Sequence, residues 1–442
     1  MGRYFGTDGV RGVANENLSV NIAFKIGEYL GHTYVGQNII IGSDTRVSKD
    51  MFLSALCAGI TSRGANAYCT GVISTPGISY LTKNKDFKAG IMISASHNPY
   101  YDNGIKCFND QGEKIDATLE ASLEDYIDGN ITLPDYSRET IGKVVNYQDS
   151  IQEYLDHVCS TIQLDLSSYN IAIDCANGSS SQLIGPLLDH LNIQYEIIDN
   201  KPDGYNINVD CGSTHLNNLS DFIKKNTKSF DLGLAFDGDA DRVLAVDATG
   251  QPVDGDLIMY ICGRYLKEVG LLHKDTIVTT IMSNIGLYKA LDENNIKYEK
   301  TAVGDKYVYE CLKNEGLSLG GEQSGHIIFN DYANTGDGML SGLQLLQALK
   351  YFDKTLQQMC EEVTIYPQLL ENVKVTDKDK VLNSPVLQEE VKAIEAELHG
   401  NGRVLLRPSG TEPLIRVMVE ASTDEACAKY VKRMVDIIHT LV

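Results

Sequence analysis

A chain of 442 residues is too long for one hydrophobic core, since domains commonly hold about 100–200 residues; its 43% apolar and 22% charged content is that of a globular protein. Its 38 Lys and Arg against 60 Asp and Glu leave a net charge of −22, which argues against nucleic acid or an anionic membrane as partner, because both demand basic patches. Any anionic ligand must be met by a few cations gathered locally. The ten cysteines form no Cys-x-x-Cys or Cys/His cluster, so neither a zinc site nor a disulfide framework is indicated. The start, Met1-Gly2-Arg3-Tyr4-Phe5-Gly6, has no apolar leader and no apolar run is of bilayer length, so the expectation is a cytoplasmic protein.

In chain order, Phe5-Gly6-Thr7-Asp8-Gly9-Val10-Arg11-Gly12 reads as a Gly-rich loop that brings Arg11 close to an anion. Ser19 caps an amphipathic helix to about Gly31. The apolar run 38–42 is a buried strand with the exit loop Ser43-Asp44-Thr45-Arg46, followed by a helix over about 49–63. Gly90-Ile91-Met92-Ile93 is a second buried, parallel strand. It feeds Ser94-Ala95-Ser96-His97-Asn98-Pro99, with Asn103-Gly104-Ile105-Lys106 just beyond. The rhythm repeats in strands 170–174 and 195–198 around a helix over about 181–191. It repeats again in strand 276–280, helices over about 286–291 and 306–313, and strand 327–329. Polar linkers are expected around 133–146 and 249–256. After Pro367 the texture changes: the polar stretch Thr376-Asp377-Lys378-Asp379-Lys380 is followed by a helix over about 386–398, strands 404–406 and 414–420, and a last helix over 424–441. The expected fold is α/β: three similar α/β domains with mixed, largely parallel sheets, and a smaller C-terminal α+β domain, around a central cleft. The expected boundaries are 1–150, 151–253, 254–367 and 368–442.

Four loops carry chemistry. Ser96, beside His97 and Lys106, offers a hydroxyl next to a base and a cation, as a nucleophile or phosphate carrier requires. Strand 231–236 runs into Asp237-Gly238-Asp239-Ala240-Asp241-Arg242. In an extended loop the three carboxylates point one way, and their repulsion demands a cation among them. This is no EF-hand: the sixth position is Arg242 and the twelfth Ala248, so Mg²⁺ with open positions fits better than Ca²⁺. Gly320-Gly321-Glu322-Gln323-Ser324-Gly325-His326, with Gly304 and Asp305 nearby, mixes the donors and acceptors that sugar hydroxyls need. Arg407-Pro408-Ser409-Gly410-Thr411, with Arg416 on the next strand, reads as a phosphate cradle without the ending of a P-loop.

The Ser-Ala-Ser-His-Asn-Pro, Asp-Gly-Asp-Ala-Asp-Arg, Gly-Glu-x-Ser-Gly-His and Arg-Pro-Ser-Gly-Thr-Glu-Pro loops, in this order, resemble those of the α-D-phosphohexomutases over essentially the whole chain. The stretch from Tyr4 to Gly12 and Gln323 are similar to the phosphoglucosamine mutase branch; the phosphomannomutase/phosphoglucomutase branch typically has Met where Gln323 stands. Lys306 departs from the Arg common in the glucosamine branch. The resemblance implies a phosphoryl group carried on Ser96 and Mg²⁺ held by Ser96, Asp237, Asp239 and Asp241. It also implies catalytic work by His97, Lys106, Arg11 and Arg242. The sugar would be gripped by Gly304, Asp305, Glu322, Ser324 and His326, and its idle phosphate by Arg407, Ser409, Gly410, Thr411 and Arg416. The implied reaction interconverts glucosamine 6-phosphate and glucosamine 1-phosphate through a bound glucosamine 1,6-bisphosphate, with a homodimer formed through the first domain. Two alternatives are a phosphomannomutase/phosphoglucomutase and a non-catalytic phosphosugar-binding homologue. A haloacid-dehalogenase-type phosphatase would need its Asp-x-Asp after the first strand and gives Ser96 no role.

Overall fold

The computed structural model describes residues 2–226, 229–409 and 413–441. They form two compact units, residues 1–282 with 296–360, and residues 283–295 with 361–442.

The larger unit holds three sheets. The first has seven strands in the order Phe5–Gly6, Gly9–Val13, Asp102–Asn109, Ala89–Ile93, Asn38–Ser43, Asn66–Val72, Val144–Asn146. The strand before Ser96 is parallel to Asn38–Ser43 but antiparallel to Asp102–Asn109. The expected Gly-rich loop at the N-terminus is instead a hairpin that pairs antiparallel with Asp102–Asn109 and sets Arg11 opposite Gly104. The expected linker 133–146 ends as an edge strand, Val144–Asn146, parallel to Asn66–Val72. The helices Val20–Thr33 and Lys49–Ser62 cover this sheet, and Gly59 lets them touch: a Cβ there would lie 2.3 Å from the Phe24 carbonyl oxygen. Ser19 and Ser74 cap their helices by accepting from Ile22 N and Gly77 N.

The second sheet runs Pro252–Val253, Val243–Asp247, Leu232–Phe236, Asn170–Asp174, Gln194–Ile198. The third runs Lys297–Thr301, Thr276–Thr280, Leu319–Gly321, Ile327–Phe329. Where a polar linker was expected over 249–256, Pro252–Val253 is a strand and Gly255 opens the long helix Gly255–Glu268, capped by Asp254. In both sheets the central strands are buried at every residue, so their apolar runs pack on both faces.

In the smaller unit, Gln368–Lys374, Leu414–Glu420 and Arg403–Pro408 form an antiparallel sheet. The helices Pro385–Glu397 and Asp424–Leu441 share its apolar core. The first of these strands was not expected from the sequence, because only Val373 of it is buried. The helix Ile285–Glu293 groups with this unit. Among the described residues, no helix is long and apolar enough to cross a membrane.

Candidate active site

Ser96 sits where a fully buried strand, Ala89–Ile93, releases the chain, and it is 1% exposed. Its φ of 52° is a left-handed conformation that a non-glycine residue holds only under constraint. The constraint is Arg46, itself fully buried. Its guanidinium donates to the carbonyls of Ser96 at 2.8 Å, Asn98 at 2.9 Å and Asp102 at 3.0 Å, and also to that of Pro99. Its Nε donates to Asp44 Oδ2 at 2.8 Å, the oxygen that also accepts from Ser94 Oγ at 2.7 Å. Ser94 Oγ in turn accepts the Ser96 N–H at 2.9 Å. From the second sheet's region, Asn208 Nδ2 donates to the Ser96 and Asn98 carbonyls at 2.9 and 3.1 Å. The loop is therefore held through its backbone, which leaves the Ser96 hydroxyl to donate to Asp237 Oδ2 at 2.6 Å, with His97 Nδ1 3.3 Å away.

Asp237 follows the buried strand Leu232–Phe236, which returns antiparallel as Val243–Asp247. The connection is a tight turn, not an extended loop: Ala240 has φ 55° and its N–H donates to Asp237 O at 3.1 Å. The carboxylates of Asp237, Asp239 and Asp241 converge all the same, each offering an oxygen within 4.8 Å of the others. Gly238 permits the approach of the two loops, since a Cβ there would lie 2.5 Å from Ser96 O. Burial, then Asp241 and Asp239, push the Asp237 carboxyl well above its usual range. Asp239 goes the other way, to about 2: burial opposes its charge, but Lys106 and the Thr75 hydroxyl prevail. Asp239 Oδ1 and Asp241 Oδ1 are buried without a hydrogen-bond partner. Three convergent carboxylates with spare oxygens are a donor set for a hard divalent cation. A second acidic group, Asp174, Asp199 and Cys211, is satisfied internally: Asp174 accepts from Ala176 N and Gly212 N at 2.9 and 2.8 Å, and Asp199 from Asn218 at 2.5 Å.

Cations surround the acidic turn. Lys106 is 1% exposed, with Nζ 2.8 Å from Asp239, 2.9 Å from Asp8 and 3.2 Å from Asp241. Burial disfavours its charge, but Asp239, Asp8 and Asp241 together hold its pKa well above the lysine norm. Arg11 pairs with Asp8. The backbone N–H of Arg242 donates to Asp237 Oδ1 at 3.2 Å. The Nε atoms of both arginines are buried and unpartnered, so each guanidinium keeps a donor for an anion. Burial, then Arg242 and Arg11, drive the His97 imidazole down to about 4. It is neutral at neutral pH.

The loop over 320–326 adjoins the same region. Glu322 turns back to accept from Gly304 N at 3.0 Å, Gln323 donates to Asp254 Oδ2 at 3.0 Å, and Ser324 is exposed. Asp305 accepts from Lys114 at 2.5 Å and lies 3.6 Å from His326 Nε2, while His326 Nδ1 is buried without a partner. In the smaller unit, Arg407 and Arg416 face each other across the strand pair, and both Nε atoms are buried and unpartnered. Burial and the Arg416 charge lower the Arg407 pKa. Lys378 donates to Ser409 O at 2.7 Å. Gly410 and Thr411 lie outside the described residues.

Sequence reasoning passed over Arg46, Thr75, Lys114 and Asn208, and gave Asp8 no role. A usable signal existed for Arg46: an Asp-Thr-Arg exit at the carboxyl end of the strand beside the one that carries Ser96.

The chain matches, in order, the models described as phosphoglucomutase/phosphomannomutase alpha/beta/alpha domain I over residues 2–132, domain II over 147–250, domain III over 254–366 and C-terminal domain over 370–437. It is 50% identical over 442 residues to the phosphoglucosamine mutase of Oceanobacillus iheyensis, covering 99% of each chain. Its fold matches a phosphoglucomutase/phosphomannomutase family protein from Burkholderia thailandensis with a TM-score of 0.83 at 22% identity, over 98% of this chain and 97% of the other. It also matches Aspergillus fumigatus N-acetylphosphoglucosamine mutase in complex with GlcNAc-6P and magnesium, with a TM-score of 0.70 at 17% identity, over 99% and 96%. With four matched domains and half of its residues shared along its whole length, the chain belongs to the α-D-phosphohexomutase family and is most like its phosphoglucosamine mutases.

Proposed function

We propose that the protein is an isomerase that moves a phosphoryl group between O6 and O1 of glucosamine phosphate, with Ser96 as the carrier. The observation that carries this reading is the Ser96 hydroxyl, 2.6 Å from Asp237 and fixed beside three convergent carboxylates. The identity to phosphoglucosamine mutases supports glucosamine as the sugar. The boundaries 1–150, 151–253, 254–367 and 368–442 give each of the four loops its own domain.

Asp237, Asp239 and Asp241, together with the Ser96 oxygen, hold Mg²⁺, which when bound supplies positive charge against the phosphoryl oxygens. Arg11 and Arg242 direct their spare donors to the same oxygens, and Arg46 holds the Ser96 backbone still while bonds change at Oγ. The P–O bond to Ser96 breaks as one forms to the free sugar hydroxyl, giving the 1,6-bisphosphate. The hydroxyl proton passes to a neutral acceptor, the role open to His97, while Lys106, held as an ammonium by its carboxylate neighbours, contributes fixed positive charge at the reacting centre. Transfer of the other phosphate back to Ser96 completes the cycle. Glu322, Ser324, Asp305, His326 and the Gly304 backbone address the sugar hydroxyls. Arg407, Ser409, Gly410, Thr411 and Arg416 take the phosphate that is not reacting.

A substrate panel tests this reading. With Mg²⁺ and a trace of sugar 1,6-bisphosphate, glucosamine 6-phosphate is converted faster than glucose or mannose 6-phosphate. Ser96→Ala loses turnover by orders of magnitude, and intact mass shows one phosphoryl group on the wild type and none on the variant. Net phosphate release, or normal turnover by Ser96→Ala, would defeat the carrier role.

A further inference from the structure

Lys114 belongs to none of the four loops, and no step above uses it. It follows the strand Asp102–Asn109, where Phe108 and Lys114 form an isolated bridge. Its segment makes a seam with residues 305–334. Asn334 Nδ2 donates to Gln111 O at 2.5 Å, and Glu113 Oε1 accepts from Tyr309 at 2.7 Å and Lys313 at 2.6 Å. Lys114 is the member of the seam that also reaches the catalytic side. Its Nζ lies 2.5 Å from Asp305 Oδ2, 2.8 Å from Asp8 Oδ1 and 3.3 Å from Thr7 O. The other Asp8 oxygen takes Lys106 at 2.9 Å and Arg11. Charges of alternating sign therefore run without a gap from Asp239 through Lys106, Asp8 and Lys114 to Asp305, and the His326 ring lies 3.6 Å beyond.

We infer that Lys114 is a positioning residue for the mutase reaction, tying the loop that addresses the sugar to the carboxylate that orients Lys106 and Arg11. The inference rests on the mutase reading of the site. One ammonium is shared by two carboxylates, each within hydrogen-bond reach of it. Without it they face each other as like charges, and each is partly exposed, so each can turn to water. Asp8 then no longer fixes Lys106 and Arg11 at the reacting end, and Asp305 no longer fixes the sugar end. Burial disfavours the Lys114 charge, but Asp8 and Asp305 outweigh it and keep the group cationic.

Steady-state kinetics separate this role from plain structural support. Lys114→Met lowers kcat about tenfold and raises KM at least threefold, because both ends of the substrate lose register. Lys313→Met cuts the Glu113 bridge of the same seam without touching Asp8, and leaves both constants within about twofold of wild type. Lys114→Arg restores most of kcat, because a guanidinium can also span two carboxylates. If Lys114→Met is not recovered folded, Lys114→Gln carries the same expectations. The inference is overturned by wild-type constants in the folded variant, by loss of kcat at unchanged KM, or by an equal loss in Lys313→Met. If the wild type interconverts no phosphohexose, the mutase reading fails and the role of Lys114 falls with it.

Discussion

At the residue scale, the acidic turn shows how structure redirects an argument from charge. Three clustered carboxylates repel, yet Asp239 titrates near 2, below the ordinary aspartate value of 3.8, because Lys106 and Thr75 outweigh burial. A depressed carboxylate stabilises the fold above its unfolded pKa, and the contribution is lost as pH falls through the folded value. Asp239→Asn is therefore expected to weaken Mg²⁺ binding, measured by calorimetry. It should also lower the metal-free protein's stability at pH 7 by roughly 2 kcal/mol, since one pKa unit is about 1.4 kcal/mol. The three aspartates were legible because their spacing is short and their chemistry local. Lys106 was legible as a nearby cation. Its bond to Asp239, and the clasp of Arg46 on the Ser96 backbone, join residues that only the fold brings together.

At the scale of elements, apolar runs announced the buried central strands, but pairing direction was not readable from them. A buried strand reads the same whether its neighbour is parallel or antiparallel, so the Gly9–Val13 and Asp102–Asn109 strands were hidden behind glycines and polar residues. Helix caps are better tests of local physics. Asp337 caps the helix Gly338–Phe352, accepting from Leu340 N at 3.0 Å and from the Tyr154 hydroxyl at 2.7 Å. Burial raises its pKa to about 6. A raised carboxyl binds its proton more tightly folded than unfolded, so its contribution is present below about pH 4 and is lost as pH rises to 6. Asp337→Asn removes that titration and keeps an oxygen for the cap. Relative to wild type, its stability should rise by up to about 3 kcal/mol between pH 4 and 6.5 and then level off, read from unfolding midpoints across that range. A flat or falling difference would mean that the Asp337 carboxylate is ionised in the fold.

At the scale of the molecule, a protein with net charge −22 repels a phosphosugar dianion, so binding depends on where buried cations keep a spare hydrogen-bond donor. In the larger unit these are the guanidinium groups of Arg11 and Arg242. In the smaller unit they are Arg407 and Arg416, neighbours across two strands with unpartnered Nε atoms. The sequence showed this second group as a motif. It did not show that residues 283–295 join the smaller unit, because helix Ile285–Glu293 has the apolar spacing of any α/β crossover helix. Two guanidinium groups side by side repel, and a phosphate dianion between them offsets both charges and accepts from both. Arg407→Ala is expected to raise KM for glucosamine 6-phosphate at least tenfold, the value of one charge-assisted contact, and to lower kcat, because an unanchored sugar misplaces its reacting hydroxyl. Arg407→Lys should recover only part of the loss, since an ammonium cannot present two parallel donors. Phosphorylation of Ser96 by a small activated phosphoryl donor should stay at the wild-type rate, because that step does not use the second phosphate. An equal loss in both reactions would show instead that Arg407 acts on the reacting phosphate.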